Sequence, residues 1–372
     1  MKKTKTKINS KDLDKFLGDF LPRPPEIMED GSIRTARWLT GINSLDLLLN
    51  GGFPQGHTIA FGAEPGVGKT TTLIQALGNI VEKYDKKCYY LDVEGGATYE
   101  LIYDMGYSNL LWHPETNPNG KFYLLSIDTI QQLARILKQV TADPDTAVVV
   151  LDSDTNVIDQ TNLEEDDLGT SNRAAASNAR MWSLNGKNLQ TVVKNSNITF
   201  VLVHQARVDL SGFRPKVSAT GGNAAKHMAS AEIWGRRKAW IDENFNEVKQ
   251  AEARGALIVL STSKNRLTKP FSSIELPIIF GRGVSNKWSY RKWLEDSNVV
   301  NNTTGEVTKA LSMKGGGFYT LTLPSGEYKA RGDKEVWPLI DEHYDEIVSY
   351  VNANGGFTLG KAEPETYEVT ED

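Results

Sequence analysis

Cysteine is nearly absent from this chain: Cys88 is the only one in 372 residues. A lone cysteine excludes an intrachain disulfide and fits a reducing compartment, which points to the cytoplasm. Its setting, Cys88-Tyr-Tyr-Leu-Asp-Val93, is an apolar run, so the thiol reads as a buried strand residue and not as a nucleophile. The five histidines, His57, His113, His204, His227 and His343, lack metal-ligand spacing, which argues against a structural zinc site. No run approaches the roughly 20 apolar residues of a membrane span, and the start Met1-Lys-Lys-Thr-Lys-Thr-Lys7 is not followed by an apolar signal core. A soluble protein without a membrane partner is expected. Positive charge is not in excess either. Lys and Arg number 42 against 47 Asp and Glu, a formal net charge of −5, so any contact with nucleic acid must come from local loops.

What is present is a globular composition, 39% hydrophobic and 24% charged, whose texture divides the chain into four segments. Residues 1–30 read as an arm: Ser10 caps a short helix with Leu13, Phe16, Leu17 and Phe20 on one stripe, ended by Pro22, Pro24 and Pro25. So short a stripe cannot bury itself, and must pack on its own core or on a neighbouring subunit. Residues 31–283 alternate strand and helix, the pattern of an α/β fold with a mostly parallel central sheet. Strands are expected over 58–61, 88–93, 122–126, 147–151, 198–203, 257–261 and 274–280. Helices are expected over 71–80 and 128–140, and over 174–194 with an interruption at Gly186. Residues 284–354 read as a small C-terminal α+β domain with a helix over 335–351. Residues 355–372 read as an acidic disordered tail, in which the last twelve hold one Lys against four Glu and one Asp.

The sharpest motif is Ala63-Glu64-Pro65-Gly66-Val67-Gly68-Lys69-Thr70-Thr71, set between a predicted strand and a predicted helix. That context makes it a phosphate-binding P-loop. Successive N–H groups of Glu64, Pro65's neighbours, Gly66, Val67 and Gly68 converge on phosphate oxygens, with the helix dipole behind them. Lys69 reaches the β- and γ-phosphates, Thr70 ligates Mg²⁺ and Thr71 opens the helix, so ATP with Mg²⁺ is the expected ligand. Ala63 stands where the pattern asks for glycine, with Gly62 just before it.

Three further polar residues follow predicted strands, where ligands of such sheets bind. Asp152 ends the run Val148-Val-Val-Leu151 and suits the metal. Glu94, followed by Gly95-Gly96, suits the general base that orients a hydrolytic water. Gln205 is a neutral amide able to sense the γ-phosphate by a hydrogen bond.

The ordered set Thr40-Gly-Ile-Asn-Ser-Leu-Asp46, the P-loop, Leu91-Asp-Val-Glu94, Val150-Leu-Asp-Ser153, Val203-His-Gln-Ala-Arg207, Thr220-Gly-Gly-Asn-Ala-Ala-Lys226 and Ser263-Lys-Asn-Arg266 resembles the RecA-type DNA recombinases over about residues 31–283. The resemblance implies a RecA-like ATPase core and a protein that assembles as a helical filament on single-stranded DNA, pairs it with homologous duplex DNA and exchanges strands. It implies single-strand-binding and loader proteins as partners. It gives Glu94 the role of activating water, Gln205 that of coupling nucleotide to DNA, and Lys264 and Arg266 that of a basic pair inserted into a neighbour's ATP site. Two polar connections, about 154–177 and 206–222, match the family's DNA-binding loops. The first carries Arg173, with Arg180 beyond it; the second carries Arg207, Phe213, Arg214 and Lys216 and ends at Gly221, Gly222 and Asn223. Cations there neutralise phosphates, the glycines admit a close approach, and Phe213 stacks on or wedges between bases. His204 stands where the family often has Asn, and His227 where an aromatic is usual. Tyr99 and Tyr103 read either as an adenine platform or as core residues. Two alternatives remain at this point: a hexameric RecA-core DNA helicase or branch-migration motor of the DnaB or RadA kind, and a non-DNA timing switch or small-molecule kinase on the same core.

Overall fold

The computed structural model describes residues 26–27, 33–159, 171–209, 216–219, 228–267, 270–300 and 307–354. The chain forms two units, residues 1–37 and residues 38–372. In the first, Glu26–Ile27 and Ile33–Arg34 pair antiparallel. The helix expected near residues 10–20 and the tail 355–372 lie outside the described residues.

The second unit is organised by one long sheet. Its parallel strands are β1 (His57–Ala63), β2 (Lys87–Asp92), β3 (Phe122–Ser126), β4 (Thr146–Asp152), β5 (Thr199–Asp209) and β6 (Ala231–Ile241), in the order β3-β2-β4-β5-β1-β6. Beyond β6, β7 (Gly255–Asn265), β8 (Ser273–Ile279) and β9 (Gly283–Val284) continue as an antiparallel meander. The crossovers include α1 (Lys69–Tyr84), α2 (Ile130–Val140) and α3 (Ser171–Lys194).

Helices cover both faces of the sheet, which is why its central strands are unbroken apolar runs. Val148 and Val150 face one core with Cys88, Tyr90, Val201 and Val203, beneath Leu73, Ile74, Leu77 and Ile80 of α1. Val149 and Leu151 face the other with Tyr89, Leu91, Phe200 and Leu202, against Leu133 and Leu137 of α2 and Trp182, Leu189 and Val193 of α3. This alternation also decides that Asp152 on β4 and Gln205 on β5 turn to the α1 face. A capping box fixes the start of α2, where Thr129 accepts from Gln132 N and the Gln132 side chain returns to Thr129 N.

The structure departs from the sequence expectations in several places. Strand β6 was not anticipated: its first half pairs with both β1 and β7, while its second half continues along β7 without β1 and carries Arg236, Arg237 and Lys238, which break the apolar pattern. Gly186 does not interrupt α3, because a Cβ there would stand 3.0 Å from Met228 Sδ and glycine instead permits a close approach. The first polar connection ends early, since Ala174-Ala-Ala176 favours helix and α3 already begins at Ser171. The second is partly sheet: β5 runs on to Asp209 and pairs antiparallel with Lys216–Ala219.

Toward the C-terminus, helix Lys287–Asp296 is followed by a three-stranded antiparallel sheet, Leu311–Lys314, Phe318–Leu323 and Gly326–Arg331. The helix expected over 335–351 is two helices, Asp333–Glu342 and Tyr344–Ala353, separated at His343. Leu294, Leu321, Trp337 and Ile347 share one core with Ile241 and Leu257 of the long sheet and with Phe245 in the turn after β6. Among the described residues no helix is long and apolar enough to cross a membrane.

Candidate nucleotide site

The phosphate loop leaves β1 after Ala63 and enters α1 at Lys69. Gly66 and Gly68 have φ of +70° and +79°, the left-handed region in which only glycine sits without strain. Ala63 needs no such freedom because it is the last residue of β1, in strand conformation. Its methyl is accommodated from the neighbouring strand, where a Cβ on Gly235 would stand 3.0 Å from Ala63 Cβ. Gly62 is the glycine that cannot be spared: a Cβ there would be 2.5 Å from the Trp234 ring.

Glu64 N donates to Gly235 O at 3.2 Å, so this amide holds the loop to β6 and is not aimed at a phosphate. The amides of Lys69, Thr70 and Thr71 open α1 and have no intrahelical acceptor. Lys69 Nζ reaches back to Ala63 O at 3.5 Å, across the space enclosed by the loop.

Thr70 Oγ1 donates to Asp152 Oδ2 at 3.1 Å, and Tyr90 OH donates to the same oxygen at 2.5 Å. Burial pushes the Asp152 carboxyl up from its usual value, with Glu94 adding to the rise and the Tyr90 and Thr70 bonds and Lys69 opposing it. Among the described residues no three His, Cys, Asp or Glu side chains form a metal cluster. Thr70 and Asp152 supply a hydroxyl and a carboxylate beside the loop, the oxygen donors that suit a magnesium ion completed by phosphate and water.

Glu94 is exposed and held from below by Asp92. Asp92 Oδ1 accepts from the amides of Glu94, Gly95 and Gly96 at 3.0, 2.9 and 3.4 Å, and Oδ2 accepts from Ala97 N at 2.9 Å. Glu94 Oε1 in turn accepts from Gln205 Nε2 at 2.7 Å and from Ser153 Oγ. The predicted base and the predicted sensor therefore touch. Asp92, Tyr90 and Ser153 received no role from the sequence. The one available signal was Asp92 two residues before Glu94-Gly95-Gly96, a carboxylate able to gather turn amides.

Lys264 and Arg266 are not brought to this loop. On β7, Lys264 lies opposite Glu232 of β6, which lies beside Ala60 of β1, and Arg266 is further back along the same direction. The phosphate loop departs from the other end of β1, so the pair does not complete its own chain's site. Burial, and then the charge of Arg266, lower the Lys264 ammonium from its usual value.

Tyr99 and Tyr103 occupy a six-residue helix capped by Thr98 and are 62% and 70% exposed, which removes the core reading for both. Arg180 is exposed on α3, and Arg173 lies in the first turn of that helix with its side chain outside the described residues. Arg207 and Lys216 lie on opposite strands of the ribbon that extends β5, and their side chains are likewise outside. Phe213, Arg214, Gly221, Gly222, Asn223 and His227 are outside the described residues altogether.

Residues 28–285 match the RecA N-terminal domain family. The chain belongs to the RecA family. Among its relatives, Protein RecA of Trichodesmium erythraeum (strain IMS101) is 28% identical over 265 residues, covering 70% of this chain and 67% of that protein. Protein RecA of Helicobacter pylori (strain G27) is 25% identical over 325 residues, covering 83% and 88%. Protein RecA of Campylobacter lari is 24% identical over 251 residues, covering 67% of each. For other RecA proteins the match spans 64% of their length. A solved structure of the RadB recombinase aligns with 66% of this chain and 98% of its own at 20% identity and a TM-score of 0.45. The mostly parallel sheet and its phosphate loop are thus those of a RecA-family core, and membership supports a role in homologous recombination at the level of the family.

Proposed function

We propose that this RecA-family protein binds ATP with Mg²⁺, assembles as a filament on single-stranded DNA, hydrolyses ATP in response to that DNA, and promotes homologous pairing and strand exchange. The observation that carries the reading is the direct bond from Gln205 Nε2 to Glu94 Oε1, which links the proposed base to the strand leading into the second candidate DNA segment.

Magnesium, when bound, neutralises the phosphate charge that opposes attack by water. Thr70 and Asp152 would hold it, while Lys69 and the first-turn amides of α1 would bind the triphosphate. Glu94 takes a proton from the attacking water, and Asp92 keeps that carboxylate at the rim of the loop. Gln205 leaves Glu94 for the γ-phosphate and conveys the change into the ribbon carrying Arg207 and Lys216. Lys264 and Arg266 act on the site of an adjacent subunit, which fits their distance from their own loop. On this reading residues 1–30 serve assembly, residues 31–283 form the ATPase core, residues 284–354 form the small C-terminal domain and residues 355–372 remain an acidic tail. The protein works in the cytoplasm with single-strand-binding and loader partners.

The test combines ATP hydrolysis with and without single-stranded DNA and negative-stain imaging. Strong stimulation with filaments is expected. Hydrolysis indifferent to DNA, or rings in place of filaments, rejects the recombinase reading, and rings favour the helicase or branch-migration motor.

A further inference from the structure

We propose that the buried pair His204–Asp154 is a positioning device that couples the Glu94–Gln205 edge of the nucleotide site to helix α3. The inference rests on the proposed reading of Gln205 as the residue that senses nucleotide.

Both side chains are fully buried, and His204 Nδ1 lies 2.7 Å from Asp154 Oδ2. Alternation along β5 explains the place of His204, whereas Ser153 and Asp154 lie just past the end of β4 at Asp152. Gln205 and Ser153 turn to the face of the phosphate loop and share Glu94 Oε1, while His204, next to Gln205 in the chain, turns to the α2/α3 face. Asp154, next to Ser153, meets it there, and its amide donates to Val203 O at 3.1 Å. The Asp154 carbonyl accepts from the indole Nε1 of Trp182 at 3.2 Å, and Trp182 is the largest fully buried side chain of α3. An unbroken chain of hydrogen bonds and single covalent steps therefore runs from Glu94 to Gln205, His204, Asp154 and Trp182.

The pair is an unfavourable way to fill this space. Among the described residues, His204 Nε2 and Asp154 Oδ1 are both buried without a hydrogen-bond partner. Buried polar atoms left unmet cost free energy that apolar atoms do not. Two residues earlier on β5 and three earlier on β4 the same face is filled by Leu202 and Leu151, which lie opposite each other in register. What leucines cannot supply is direction. The Asp154 N–Val203 O bond joins the two segments at the backbone in either case. The His204–Asp154 bond adds a directional side-chain link one residue nearer Gln205, so that a displacement of Gln205 turns Asp154 and, through its carbonyl, the Trp182 ring.

The experiment is hydrogen exchange read by mass spectrometry on the full chain, with and without ATPγS and Mg²⁺. It compares the wild type with His204→Leu/Asp154→Leu, which copies the leucine pair, and with Asp154→Asn, which keeps an acceptor for the imidazole. Residues 64–72 should gain protection to the same degree in all three. Nucleotide should also change exchange over residues 180–194 in the wild type and in Asp154→Asn, and by at least about threefold less in the double variant. A purely structural pair would alter the unliganded exchange of α3 without removing its response. A double variant that responds like the wild type, an Asp154→Asn variant that does not respond, or a wild-type α3 that ignores nucleotide overturns the inference. Should residues 64–72 gain no protection in the wild type, the nucleotide-site reading itself fails, and the coupling falls with it.

Discussion

Gln205 at β5 donates to Glu94 just past β2, across the intervening strand β4, whose own following residue Ser153 donates to the same carboxylate oxygen. Three adjacent strands, through a residue of β5 and the residues just past β2 and β4, thus converge on Glu94 Oε1. With two donors on that oxygen the carboxylate is held in place and partly occupied, so release of Gln205 toward a phosphate frees the base as it reports the ligand.

Glu94→Gln is expected to keep nucleotide and DNA binding while slowing hydrolysis by about 10²- to 10⁴-fold, the usual contribution of a general base. Gln205→Ala should leave ATP affinity nearly unchanged and remove DNA stimulation. Steady-state hydrolysis with and without single-stranded DNA, beside nucleotide titration, separates the two. A Glu94→Gln protein that turns over normally ends the base assignment.

Lys264→Ala and Arg266→Ala should fold and bind ATP as the wild type does, because neither residue reaches its own phosphate loop. Hydrolysis dependent on assembly should fall by about 10³-fold or more, as when an arginine finger is removed. Mixing with a Lys69→Ala protein provides the check: the Lys69→Ala subunit offers an intact basic pair to the variant's intact loop, and activity should partly return. No recovery in mixtures shown to co-assemble would argue against action across the interface.

Gly62→Ala places a methyl against the Trp234 ring at a separation no contact tolerates. Overpacking of this kind typically costs about 1–3 kcal/mol. Urea unfolding of the variant measures it, and a companion Trp234→Leu change should recover part of the loss. An unchanged midpoint would mean that the ring moves aside freely.

Asp46 is buried and accepts from Thr40 N at 2.8 Å, Thr40 Oγ1 at 2.7 Å and Gly41 N at 3.2 Å. Burial outweighs these bonds and raises its carboxyl from 3.8 to about 6. A folded value above the unfolded one means that the folded state holds the proton more tightly. Its contribution is fully present below about pH 3.8 and is lost as pH rises through about 6. The loss amounts to an order of 3 kcal/mol for a shift of this size. Asp46→Asn removes the titration, so urea unfolding from pH 4 to pH 7 should show the variant gaining on the wild type. A constant difference across that range would contradict the shift.

Much of the site could be read from local sequence because its parts are local. A strand, two glycines in left-handed turns, a lysine and a threonine at a helix start need only the neighbouring chain, and Val148 to Asp152 announced both a doubly covered strand and the carboxylate at its end. Strand β6 escaped notice because its second half, beyond the pairing with β1, carries the charged run Arg236-Arg-Lys238, so neither an apolar run nor a clean alternation marks it. The hairpin that lengthens β5 was read as loop because its polar residues carry no sign of the partner strand seven residues on.

The sequence by itself determined the phosphate loop, the two-faced core and the identity of the groups that end each strand, since side-chain periodicity and turn chemistry act over a few residues. The tertiary structure alone decided which of those groups meet. Glu94, Ser153 and Gln205 are brought to one oxygen, and Asp154 and His204 to one buried contact, by the parallel register of strands, which joins residues fifty or more positions apart. The same register turns Lys264 and Arg266 away from their own loop, and it lets Gly235 on β6 make room for the methyl of Ala63. Spacing along a chain carries no record of such pairings, because hydrogen bonds between strands join backbone atoms that every sequence possesses.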